Sequence, residues 1–110
     1  MGDVPLKYVD SVIEWENPVY EGDRQYRRDL DPGSASWIAY GHGNPNAVLS
    51  FVCPCGCGSV HAITACQGSK LQHKWLWDGD VERPTLTPSI QCVSPCRWHG
   101  FLTGGIFKQC

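Results

Sequence analysis

Three of the chain's seven cysteines fall within five residues, in Cys53-Pro54-Cys55-Gly56-Cys57. Thiols this dense either belong to a disulfide framework or hold a metal ion, because packing alone does not gather three in one turn. A secreted disulfide scaffold carries an even number of cysteines behind a leader peptide. Here the count is odd, and the opening MGDVPLKYVDSVIEWENP lacks the basic-then-apolar order of a leader. The expectation is a metal site in a reducing, cytoplasmic setting.

The rest of the composition narrows the class further. No apolar run approaches the ~18 residues that span a bilayer, so no membrane partner is expected. A net charge of -2 lacks the basic excess of a nucleic-acid binder. Arg24, Arg27 and Arg28 do cluster, but Asp23, Asp29 and Asp31 interleave with them, the pattern of a solvated face. Apolar residues make up 42% of the 110 positions, as in a folded globule of one domain.

Eight prolines and twelve glycines leave no stretch of a dozen residues with helical periodicity. Short strands are predicted at 37–40, 47–52, 59–64, 73–77 and 85–92, and a last hairpin over 100–108 around Thr103-Gly104-Gly105. Pro84 and Pro88 confine the 85–92 segment to an edge or to irregular structure. Residues 17–36 are polar and read as a long loop or hairpin tip with little core. The predicted fold is mainly β: a small, antiparallel, zinc-stapled single domain over 1–110 with a long N-terminal loop. Within it, 1–45 form a variable region and 46–110 a metal-binding β core.

The metal half-sites are read as follows. Cys53, Cys55 and Cys57 sit at a Gly-containing turn between two strands, where backbone amides can face thiolates. Their one-and-one spacing does not choose among the three. Cys96-Arg97-Trp98-His99 adds a Cys-x-x-His pair about forty residues on, a separation whose closure restricts the unfolded chain. The candidate ligands are thus Cys53, Cys55, Cys57, Cys96 and His99, with zinc the expected ion and iron the alternative for an all-thiolate choice. His61 reads first as an ordinary strand histidine, and Cys66 and Cys92 as small buried apolar residues. Whether His61 or Cys110 joins the site is left open. No HExxH is present, and His61-Ala62-Ile63 is not the His-x-Glu of a zinc deaminase, so the zinc is expected to be structural.

The segment Trp75-x-Trp77-Asp78-Gly79-Asp80-x-Glu82-Arg83 has two readings. The indoles can cover the core while the polar residues shape a loop. Alternatively Trp75, Trp77, Asp80, Glu82 and Arg83 present a recognition surface for another protein.

The runs FVCPCGCGSVH, WLWDGDVERPTLTPSI and CRWHGFLTGGI together resemble a family of small phage and bacterial proteins, sometimes labelled ammonia monooxygenase. Nothing in the chain supports that label chemically. The resemblance spans roughly residues 50–110, and Cys55 is an extra relative to the family's Cys-Pro-x-Cys form. It implies zinc ligation by Cys53, Cys57, Cys96 and His99. It also implies an adaptor or host-interaction role, since some relatives sit beside ubiquitin-like conjugation genes and many in phages. The leading expectation is therefore a zinc-stabilised phage or mobile-element protein that binds another protein in the host cytoplasm, without enzymatic activity. The alternatives are a small zinc-dependent hydrolase using Asp80 or Glu82, and a nucleic-acid-binding zinc module.

Overall fold

The computed structural model describes residues 3–38, 46–66, 75–92 and 97–110. Among them there are eleven strands and no helix: β1 (Val4–Pro5), β2 (Lys7–Tyr8), β3 (Val19–Glu21), β4 (Arg24–Tyr26), β5 (Ser34–Ile38), β6 (Asn46–Val52), β7 (Val60–Cys66), β8 (Trp75–Trp77), β9 (Leu86–Gln91), β10 (His99–Thr103) and β11 (Ile106–Gln109). Nine form one sheet in the order β1-β11-β10-β9-β8-β7-β6-β5-β2, and β3 and β4 form a separate hairpin. The pairings are antiparallel except for β2 with β5 and β7 with β8.

The two outermost strands are joined by the single residue Leu6. Val4 and Pro5 pair with β11, and Lys7 and Tyr8 pair with β5. Leu6 N donates to Gly105 O at 2.8 Å and Lys7 N to Gly33 O at 3.0 Å, so the main chain crosses the seam. The sheet thereby closes almost into a barrel, which removes the exposed edges that an open sheet offers for aggregation.

Period-two alternation fills the interior. Leu49, Phe51 and Cys53 of the β6 segment face Ile63 and Ala65 of β7, with Leu86, Ile90, Cys92, Trp98, Leu102 and Phe107 completing one buried cluster. Phe107 anchors it, 5.1 Å from the Phe51 ring and 5.9 Å edge-on to Trp98. A second, smaller cluster of Val12, Val52 and Val60 lies on the opposite face of β6 and β7.

That second cluster shows why the polar N-terminal third is not simply loop. Gln25 is buried, accepting from Glu14 N (2.8 Å) and donating to Glu14 O (3.1 Å), so its amide stands in for a strand neighbour. Arg27 Nη1 caps Val12 O at 2.8 Å. Polar side chains spent on backbone groups let a polar sequence cover the sheet.

The β9 segment takes the irregular form its prolines allow, though not at an edge. It lies centrally, between β8 and β10. Pro88 is tolerated because the β9–β10 register slips beside it. Gly100 faces Ile90 and Leu102 faces Leu86, so one residue of β10 (Phe101) opposes three of β9 (Thr87, Pro88 and Ser89). The missing proline N–H falls in this bulge, where the ladder is interrupted anyway.

The last hairpin forms as predicted. Thr103 faces Ile106 across Gly104 and Gly105, both at positive φ (56° and 77°), which a primed two-residue turn requires. Gly100 is needed for a different reason. A Cβ there would lie 2.3 Å from Lys108 O and 2.7 Å from the Trp98 ring. Gly100→Ala is expected to cost about 2–3 kcal/mol by overpacking, read as a lowered urea midpoint with unchanged slope.

Candidate active site and cysteine cluster

The bulge in β9 sets the first functional feature. By twisting the strand it re-aims Ser89, which is half-buried, toward the start of β10. There the Ser89 hydroxyl meets His99 Nε2 at 2.7 Å. Both residues are held by backbone contacts on the far side: Trp75 Nε1 donates to Ser89 O at 3.3 Å, and Cys110 N donates to His99 O at 2.9 Å. The chain enters β10 through Arg97, a non-glycine residue at φ 56°, a strained conformation that clusters at functional sites. Trp98, buried next to it, anchors the turn.

A second serine–histidine contact provides a control. Ser59 Oγ lies 3.0 Å from His61 Nε2. Arg24 Nη1 lies 2.9 Å from His61 Nδ1 and can only donate. Nδ1 is therefore the bare nitrogen and Nε2 carries the proton, so His61 donates to Ser59 and has no lone pair there to take its proton. Ser59 is also fully buried and shares its hydroxyl with Cys57 Sγ at 3.0 Å. Among the described residues, the Ser89–His99 contact is the serine–histidine pair that is not fully buried.

Four of the cysteines come together around the β6–β7 turn. Cys53, Cys55 and Cys57 place their sulfurs within 4.8 Å of one another, and Cys53, His61 and Cys92 form a second such group. These residues could hold a metal ion. Soft thiolates with one imidazole suit zinc chemistry, in which metal–sulfur bonds of about 2.3 Å put neighbouring sulfurs about 3.8 Å apart. Cys53 and Cys92 are buried, and Phe51 stacks on His61 at 5.6 Å.

The expected ligands thus divide. Cys53, Cys55 and Cys57 come together. His99 is in neither donor group found among the described residues, and its Nε2 lies 2.7 Å from Ser89 Oγ. Cys96 lies outside the described residues. His61 and Cys92, read from the sequence as structural, stand beside Cys53 because positions 51, 61 and 63 share the inward face of paired strands. Ser89 carried no signal beyond its place in the Pro-Thr-Leu-Thr-Pro-Ser-Ile block, since a serine nucleophile has no spacing of its own.

In the Trp75–Arg83 segment the two indoles are half-buried, while Leu76, Asp78 and Asp80 to Arg83 are exposed. Trp77 Nε1 donates to Asp80 O at 3.0 Å, and the Trp37 and Trp77 rings lie 4.8 Å apart. Asp80 Oδ1 accepts from Glu82 N (2.9 Å) and Arg83 N (3.0 Å), which holds its carboxyl below the usual carboxylate range. Glu82 and Arg83 are exposed. Because the folded pKa is lowered, Asp80 contributes stability above its unfolded pKa, and loses it as pH falls through the folded value. Asp80→Asn is therefore expected to destabilise at neutral pH and to match the wild type in strong acid, measured by urea unfolding at both.

The arginines are likewise engaged with the protein. Arg27 grips Asp29 through two bonds (3.0 and 2.9 Å), and Arg28 lies 4.4 Å over the Tyr26 ring. No helix among the described residues is long and apolar enough to cross a membrane.

A strand-borne serine within hydrogen-bond reach of a histidine ring nitrogen is the working part of enzymes that cut acyl bonds through a covalent serine ester. The chain belongs to the family described as bacterial ubiquitination-like system serine protease (BubE), whose model matches residues 23–110. Comparison with curated proteins and with solved structures gave no match. Family membership corrects the functional expectation. The chain is a protease-family protein and not a non-enzymatic phage adaptor, and the family's chemistry runs through serine, not through a zinc-dependent hydrolase centre. The adaptor reading arose because the cysteines dominate the sequence while a Ser/His pair ten residues apart leaves no pattern.

Proposed function

We propose that the chain is a serine peptidase in which Ser89 is the nucleophile and His99 its base, acting on a peptide or isopeptide bond of a protein in a bacterial ubiquitination-like system. The observation that carries this reading is the 2.7 Å contact between Ser89 Oγ and His99 Nε2 at a bulge in the barrel wall. Ser89 Oγ attacks the scissile carbonyl carbon and forms a C–O bond while its proton passes to His99 Nε2. Collapse of the tetrahedral intermediate breaks the C–N bond, and His99 gives the proton to the leaving amine. Water then attacks the Ser89 ester with His99 again taking the proton, releasing the acid and returning hydrogen to Ser89 Oγ. Among the described residues no carboxylate hydrogen-bonds His99, so the chemistry is written for a dyad.

The substrate, on this reading, is the chain's protein partner, and the bond is reached where the partner's tail lies extended along the β9–β10 wall. The ion that suits the cysteine cluster is zinc, held away from the reacting atoms by residues that face the core. The cytoplasm is the compartment that keeps such thiols reduced.

The test is labelling of the purified chain with a fluorophosphonate probe, followed by peptide mapping. The expected result is one phosphonyl adduct on Ser89, lost in His99→Ala and retained in Ser59→Ala. An adduct on Ser59, or none on any serine while a cognate ubiquitin-like substrate is being cut, overturns the assignment.

A further inference from the structure

The chemistry proposed for His99 uses Nε2, which meets Ser89 Oγ at 2.7 Å, and leaves Nδ1 to be held. What can hold it follows from strand register. Gln91 stands directly across from His99 in the β9–β10 pair. The two main chains turn away from each other there. His99 O accepts Cys110 N on the β11 side (2.9 Å), and the β9–β10 bond falls one step on, from Cys92 N to Trp98 O (2.7 Å). Opposed residues of this non-hydrogen-bonded kind have Cα atoms about 4.5 Å apart and bring their side chains closest. Alternation puts Ser89 and Gln91 on one face of β9, roughly 6.5 Å apart along the strand, so both flank the imidazole ring. Gln91 is exposed, and its amide turns without breaking a buried contact.

We infer that Gln91 is the positioning residue of this site: its amide oxygen accepts Nδ1–H of His99, orients the ring and stabilises the imidazolium. The other strand neighbours are poorer acceptors. Arg97, through which the chain enters β10, carries a guanidinium that can only donate. Cys110 lies opposite His99 on the β11 side, since Gly100 pairs with Gln109, and a thiol sulfur accepts weakly. Gln91 offers a carbonyl oxygen with two lone pairs. While the ring is neutral, either nitrogen can carry the single proton, and an amide can turn to suit. Once Ser89 Oγ has passed its proton to Nε2, both nitrogens only donate, and the Gln91 oxygen is the group that meets Nδ1–H. No proton leaves Nδ1. Proton traffic stays between Ser89 Oγ, His99 Nε2 and the leaving amine, and the amide does what the third group does in other Ser–His sites. The effect on rate rests on the Ser89–His99 reading, whereas the hydrogen bond does not.

The experiment uses the full-length, reduced chain, isotope-labelled in its histidine rings for NMR. In mildly acidic solution, where the ring is doubly protonated, the wild type should show a His99 Nδ1–H resonance protected from water exchange. It should persist in Gln91→Glu, which keeps an acceptor oxygen, and in Cys110→Ala. Gln91→Leu keeps the bulk and removes the acceptor, so the resonance should vanish. Rates are read at neutral pH as fluorophosphonate labelling of Ser89, and as kcat and KM for a C-terminally extended ubiquitin-like substrate. Gln91→Leu should lower the labelling rate and kcat about 10- to 100-fold, the factor that a hydrogen bond to a charged group supplies. KM and the urea midpoint should stay at wild-type values, and Gln91→Glu should recover most of the loss. A persisting resonance or wild-type rates in Gln91→Leu would overturn the inference, as would loss of the resonance in Cys110→Ala alone. If the wild type gives no Ser89 adduct, the nucleophile assignment fails by itself. The Nδ1–H resonance of the wild type against Gln91→Leu then still decides the contact.

Discussion

Ser89→Ala is expected to abolish proteolysis, lowering kcat by at least ~10³-fold and by as much as ~10⁶-fold where the whole rate passes through the serine ester. The substitution removes one hydroxyl at a half-buried position of the bulge, so the melting temperature should hardly move. His99→Ala should fall to a similar floor. The double variant should be no worse than either single one, because the two side chains act as a unit. Ser59→Ala provides the contrast, since its hydroxyl receives a proton from His61 and does not surrender one. The measurement is steady-state cleavage of a C-terminally extended ubiquitin-like substrate with each variant at equal folded concentration. Near-wild-type cleavage by Ser89→Ala would show that the nucleophile lies elsewhere in the chain.

Phe107→Ala is expected to have the largest effect on stability. Phe107 is fully buried, its ring contacts Phe51 and Trp98, and its backbone pairs with both Val4 and Leu102. Truncation leaves a cavity where the two ends of the sheet meet, at a typical cost of about 3–5 kcal/mol. Small domains hold about 5–15 kcal/mol in total. At ~4–8 °C per kcal/mol for a domain of this order, the melting temperature should drop by about 15 °C or more. Opening the seam should also frees the Val4–Tyr8 segment, visible as faster amide exchange at Leu6 and Lys7. Phe101→Ala, on the half-exposed side of β10, should cost far less.

Parts of the molecule were legible before any coordinates. Alternation, turn chemistry and the dearth of helical periodicity specified a small β domain. The strands at 47–52 and 59–64 and the Gly104-Gly105 hairpin fall where those local signals place them, because each depends only on neighbouring residues. The dense Cys53–Cys57 run marked a metal-capable turn for the same reason.

The other half of the cluster was not legible, because His61 and Cys92 meet Cys53 only through strand register. A one-residue slip of β6 against β7 would send His61 to the opposite face. The same holds for the closure of the sheet: Leu6 carries no mark of the seam it spans, and Gln25 no mark of the strand it imitates. Pro88, which on local rules belongs at an edge, is central because the bulge absorbs its missing N–H.

The sequence by itself thus determined the class of fold, the turns and one half of a thiol cluster, all consequences of short-range backbone and side-chain preference. Tertiary structure alone decided that His99 Nε2 meets Ser89, that His61 and Cys92 stand beside Cys53, and that the sheet closes. Each of those depends on which strands pair and in what register, and register is settled by burial summed over the whole barrel and not by any residue's own spacing.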